Sequence, residues 1–169
     1  MKPQSHKPQL LRDLLTDLAV EMQRLERQRQ DLADLACRWS EQGADRERVD
    51  AAALRLQSFY TGIERALLQI VRLLNGGVSE GADWHRRLLD RLTQATDRRP
   101  AVLSSETASA LAELLRFRHR VRHLYADDLD PGQVQQRLLG ALELWPALEA
   151  DLLVFQRWLE ELITLAEAG

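Results

Sequence analysis

Two long stretches of this chain repeat their apolar residues at every third or fourth position, with no proline to interrupt them. From Pro8 to about Gln42 the repeat runs through Leu11, Leu15, Leu18, Met22, Leu25, Leu32, Ala36 and Trp39, and Gly43 closes it. The second runs through Val49, Ala53, Leu56, Tyr60, Ile63, Leu67, Ile70 and Leu74; Asp45 is placed to cap it and Asn75-Gly76-Gly77 to end it. That period is the signature of amphipathic α-helices, and the alternation of a β-strand is hard to find anywhere in the chain. The connection between the two is short, so they are expected to lie as antiparallel neighbours. Leu54, Phe59, Leu68 and Val71 flank the second stripe and widen it beyond a coiled-coil seam, toward the broader face of a globular bundle.

The rest of the chain extends the same plan. After a glycine-containing loop, a short helix is expected from about Asp83 to Ala95, with Trp84, Leu88, Leu89 and Leu92 turned inward. Pro100 then breaks the chain. Ser104 or Ser105 can cap a fourth helix, whose apolar positions are Leu111, Leu114, Leu115, Phe117, Val121 and Leu124. Asp130-Pro131 restarts the chain, because the carboxylate accepts orphan amides while proline sits where its missing N–H costs nothing. The last helix carries Val134, Leu138, Leu142, Trp145, Leu152, Phe155, Leu159 and Leu162, and Pro146 is expected to kink or divide it. The expected fold class is all-α: an antiparallel bundle of four main helices plus one short helix, in a single domain over residues 1–169, with residues 1–8 disordered.

Composition narrows the class. Apolar residues make up 45% of the 169 positions, enough to bury a core. No run approaches the roughly 20 apolar residues of a membrane span, and the opening has no signal-peptide core, so a cytoplasmic protein is expected. Cys37 is the only cysteine. It excludes an intrachain disulfide and a thiolate zinc site, and reads as a small buried hydrophobe.

Arg116 to Tyr125 stands apart. Four arginines and two of the four histidines fall in these ten residues of a chain whose net charge is −3. A solvated helix face normally mixes both signs, so an anionic partner is the simplest explanation. Arg118, Arg122 and Tyr125 continue the helix line begun by Leu111 and Leu115, so an apolar stripe turns polar at its end, as at a cleft. His123 lies about 140° round an ideal helix from Arg118. Either the helix loosens before Asp127, or a second copy of the motif completes the site. His119 and His123 have the i, i+4 spacing of a metal pair, but Arg118, Arg120 and Arg122 disfavour a cation there and no third ligand is evident; no metal and no cofactor are expected.

Arg118-x-x-x-x-His123-x-Tyr125 resembles the signature of the HEPN superfamily, and within it of the HepT-like toxins, which are metal-independent ribonucleases. Two further segments agree in order: Phe59-Tyr60-Thr61-Gly62-Ile63-Glu64-Arg65 and Asp83-Trp84-His85-Arg86-Arg87-Leu88-Leu89, ahead of Phe117-Arg118-His119-Arg120-Val121-Arg122-His123. The likeness covers about residues 45–165. His119 departs from it, since many HEPN ribonucleases carry Asn or Asp directly after the motif arginine. The resemblance implies an endoribonuclease toxin, acting on RNA as a homodimer and neutralised by a minimal nucleotidyltransferase antitoxin that adenylylates Tyr125. The alternative is a catalytically silent helical module that binds a nucleotide or a nucleotidyltransferase partner.

The residue types suit that chemistry on their own. Metal-free RNA cleavage needs a group to take the 2′-hydroxyl proton and a cation to stabilise charge growing on phosphorus. His123 is assigned the acid/base role, Arg118 the phosphate clamp, and Tyr125 a hydroxyl that orients substrate. His119, Arg122, Glu64, His85 and Arg120 are supporting or RNA-binding candidates. Glu64 reads equally as an exposed charge or as a partner for Arg118 or Arg122, Trp84 as core, and Arg116 and Arg120 as solvent-facing charges that steer RNA.

Overall fold

The computed structural model describes residues 8–77, 81–123 and 129–168, except for the side chains of residues 120–123. It contains five helices and, among the described residues, no strand: α1 (Pro8–Gln42), α2 (Arg46–Leu74), α3 (Trp84–Leu92), α4 (Ser105–His123) and α5 (Pro131–Ala168). The all-α bundle of four main helices and a short one is therefore observed. Helix α1 already includes Pro8, the last residue of the segment expected to be disordered.

Local chemistry sets the helix ends. Asp45 accepts the Arg48 amide at 2.8 Å and caps α2, a contact of the kind that contributes about 1 kcal/mol. Ser104, not Ser105, caps α4: its hydroxyl accepts the Thr107 amide at 3.1 Å, and its own amide donates to Asp151 on α5 at 2.8 Å. Asp130 accepts the amides of Gly132 and Gln133 at the start of α5. Gly43 closes α1 with φ +76, a conformation that costs a residue with a Cβ, while its amide reaches the Trp39 carbonyl.

Helix α2 is the central element and packs against each of the other four. That position explains its wide stripe: Phe59 and Val71 are buried alongside the eight expected positions, but Leu54 faces solvent at 66% exposure. Helices α1 and α2 run antiparallel. Glu21 meets Arg65, and Arg55 reaches the Asp31 carbonyl, pairs that are symmetric about the Gly43 turn. Helix α5 lies along α1, joined at the ends by the Arg12–Glu167 ion pair. Helix α4 runs antiparallel to α5, with Arg137 on Glu113 near one end and Ser104 on Asp151 at the other.

Several expectations change. The buried line of α1 is Leu11, Leu14, Leu18, Glu21, Leu25, Leu32, Leu35 and Trp39, so Leu15, Met22 and Ala36 sit at its margin. Glu21 is accommodated there by Arg24 at 2.8 Å and Arg65 at 3.5 Å. Cys37 is exposed rather than buried, because α1 turns that position away from α2 and α5. Pro146 lies inside a continuous α5 and does not divide it; packing of Trp145 and Leu148 into the core holds the helix across it. Arg99, which no periodicity or motif singles out, is only 2% exposed. It donates to Asn75 and to the carbonyls of Arg91, Gln94 and Pro100, stitching the ends of α2 and α3 together. No helix is long and apolar enough to cross a membrane among the described residues.

Candidate functional site

Glu64 sits on α2 one turn beyond Tyr60, on the edge of the stripe that faces α3 and α4. Helical spacing puts both side chains over the same patch. Glu64 is buried, at 6% exposure. A carboxylate in that position requires partners, and two helices supply them. His85 of α3 places Nδ1 against Glu64 Oε1. Arg118 of α4 brings Nη1 to 3.4 Å from Glu64 Oε2, with only 16% of its side chain exposed.

Around this carboxylate the remaining contacts close a ring. Arg118 Nη1 lies 3.5 Å from His85 Nε2, and its guanidinium carbon sits 5.7 Å from the centre of the Tyr60 ring. The neutral His85 tautomer with its proton on Nδ1 satisfies both neighbours: it donates to Glu64 and presents the Nε2 lone pair to the arginine. Burial, and then the Glu64 charge, push the pKa of the Tyr60 phenol well above the ordinary phenol range, with Arg118 pulling the other way. Tyr60 is thereby held neutral.

Trp84 and His119 form the outer wall. The Trp84 ring stacks on His85 at 3.6 Å between centroids, and His119 meets His85 edge-on at 5.6 Å. Trp84, expected in the core, packs against it but is only half-buried, whereas His85 beside it lies deeper, at 7% exposure. The short α3 turns the histidine inward and lays the indole over it.

Of the residues singled out from the sequence, Arg118, Glu64, His85 and His119 therefore converge. Helix α4 is continuous through His123, so it does not loosen between Arg118 and His123, and their backbone positions stay about 140° apart around its axis. The side chains of Arg120, Arg122 and His123, and all of Tyr125, lie outside the described residues, as do the expected apolar positions Val121 and Leu124. Arg116 is exposed, as expected, and pairs with Glu113. Tyr60 was read only as a core position. The signal that marks it as part of the site is its i, i+4 relation to Glu64.

The arrangement can hold a guanidinium in one pose, one edge against a carboxylate and an imidazole and one face toward an aromatic ring. Such a fork is suited to an oxyanion of phosphate. Among the described residues there is no cluster of three or more acidic, histidine or cysteine side chains arranged to hold a metal ion. A family model described as HepT-like protein matches residues 51–159, which takes in every residue of this site and leaves α1 outside. No curated protein and no solved structure matches the chain.

Proposed function

The chain belongs to the HepT-like family of the HEPN superfamily, and from that membership we propose that it is a metal-independent endoribonuclease toxin whose phosphate clamp is Arg118. The observation that carries the reading is the fixed pose of Arg118, set by Glu64 and His85. With Nη1 engaged there, the scissile phosphate takes the other edge of the fork, Nη2 and Nε.

In the proposed reaction His123 removes the proton of the ribose 2′-hydroxyl. The 2′-oxygen attacks phosphorus, the bond to the 5′-oxygen breaks, and that oxygen leaves as a hydroxyl after taking up a proton. The products are a 2′,3′-cyclic phosphate and a 5′-hydroxyl end. Arg118 stabilises the charge on the phosphoryl oxygens as the fifth bond forms. Tyr125 orients the substrate, and Arg120, Arg122 and His119 draw RNA toward the site. A nucleotidyltransferase antitoxin is the proposed partner, acting in the cytoplasm.

Separation of Arg118 and His123 around one continuous helix favours a composite site in a two-fold dimer, in which each His123 serves the partner subunit's arginine. Mixing tests this. Arg118→Ala and His123→Ala are each expected to be inactive alone. After mixing and subunit exchange, half the dimers are hybrids with one intact site in two, so activity returns to about a quarter of wild type. Complete absence of recovery between two folded, exchanging variants would contradict the composite site. Wild-type protein that binds RNA without cutting it would favour the silent-module alternative.

A further inference from the structure

Helix α4 has an open groove on each flank, and their linings differ in charge. The groove toward α5, of about 360 Å³, is lined by Glu106, Glu113 and Glu143, with Arg137 as its one cation among the described residues. A polyanion is repelled there. The groove toward α3, of about 530 Å³, is lined by Arg86 of α3 and Arg116 of α4 near the end where His85 meets Arg118, and by Asp90, Ala112, Ser109 and Ser105 on the way to its other end. Both arginines are exposed, and Arg116 shares Glu113 with Arg137, so its charge is only partly neutralised.

The α3-side groove is also continuous with the motif. At about 100° per residue, the backbone positions of Ser105, Ser109, Ala112, Arg116, His119 and His123 all fall within about 40° of one line along α4, whereas Arg118 lies about 140° away. The groove lining therefore leads into the line of the two motif histidines. From Ser105 to Arg116 it extends about 16 Å along the helix, long enough for a short run of nucleotides.

We infer that the α3–α4 groove is a subsite for single-stranded RNA, holding the nucleotides next to the cleaved bond, with Arg86 and Arg116 on their phosphates. The hydroxyls of Ser105 and Ser109 and the Asp90 carboxylate offer partners to ribose and base edges, and the small side chain of Ala112 leaves the floor open to a base. Unpaired strands suit such a groove, because splayed bases can enter it while a duplex keeps its bases stacked. This inference rests on the endoribonuclease reading for its substrate, but its test is separate.

Affinity is measured by fluorescence anisotropy with a labelled single-stranded oligoribonucleotide of about ten nucleotides, 2′-O-methylated throughout so that it cannot be cut. Arg86→Glu, on the surface, and Ser109→Trp, which fills the groove from an exposed position, are each expected to weaken binding about tenfold, and Arg86→Glu to lower the salt dependence by about one counterion. The same sequence as a duplex should bind at least about tenfold more weakly to wild type. Wild-type affinity in both variants, or equal affinity for the duplex, would overturn the assignment. So would a Ser109→Trp protein whose oligomeric state changes by light scattering while its RNA affinity does not, since the groove would then seat a second copy. If unmodified RNA survives wild-type protein while the variants still lose affinity, the groove stands and the endoribonuclease reading falls.

Discussion

Arg118 on α4 reaches the buried carboxylate of Glu64 on α2, with Nη1 3.4 Å from Oε2. The same carboxylate holds His85 of α3, so one acidic side chain ties together the three helices that build the site. A guanidinium on a flexible side chain gains a defined direction from such a partner. The expected consequence is that catalysis depends on Glu64 although Glu64 does not touch RNA.

Glu64→Gln keeps the shape and removes the charge. Leaving Arg118 and His85 with a weaker acceptor is expected to cost about 1–3 kcal/mol of folding stability. Because Arg118, the proposed phosphate clamp, loses its fixed pose, kcat for the proposed RNA cleavage should fall about tenfold or more, with the far-ultraviolet circular dichroism unchanged. Urea unfolding and cleavage kinetics check both parts. A variant with wild-type kcat would remove Glu64 from any positioning role.

Tyr60 predicts an alkaline dependence. Its phenol pKa is raised in the folded protein by burial and by Glu64, so above the ordinary phenol value near 10 the unfolded chain loses a proton that the folded one keeps. Its contribution to stability is therefore complete below about pH 10 and declines as pH rises beyond that. The chain has two tyrosines, so in Tyr125→Phe an ultraviolet titration reports Tyr60 alone. It should resist ionisation until the protein unfolds; a titration at the ordinary phenol pH in folded protein would contradict the buried contact.

The sequence made the helices legible because hydrophobic period and capping chemistry agree at Asp45, Ser104 and Asp130. It misjudged rotation where two registers fit equally. Leu14 and Leu15, or Leu35 and Ala36, both satisfy a three-and-four repeat, and only packing between α2 and α5 selects the first of each pair. Leu54 and Cys37 look apolar but face solvent, because burial depends on which neighbours exist at that height of the bundle. Arg99 is hidden from any periodicity argument, since backbone carbonyls and one asparagine, not a stripe, give it its place. In the site, Arg118 stood out by charge density. The part played by Tyr60, and the burial of His85 beneath a half-buried Trp84, depend on contacts between helices far apart in sequence.

Tyr125 carries the proposed control of activity. A nucleotidyltransferase partner would let its phenol oxygen attack the α-phosphorus of ATP, forming a phosphodiester as pyrophosphate leaves. The added phosphate would pair with the motif arginines and take the place of the RNA phosphate. Co-expression with such a partner is expected to raise the intact mass by one or more adenylyl units located at Tyr125, and Tyr125→Phe should escape the change. An inactive but unmodified protein from co-expression would assign inhibition to occlusion alone.

The central claim is that Arg118 serves a metal-free cleavage of RNA. The most direct measurement incubates purified wild-type protein and Arg118→Ala with single-stranded RNA, with and without excess EDTA, and analyses the ends of the products. Wild type is predicted to cut equally well in both conditions and to leave 2′,3′-cyclic phosphates, while Arg118→Ala, with unchanged helical circular dichroism, loses at least about a hundredfold in rate. Cleavage abolished by EDTA, or full activity in Arg118→Ala, would contradict the account.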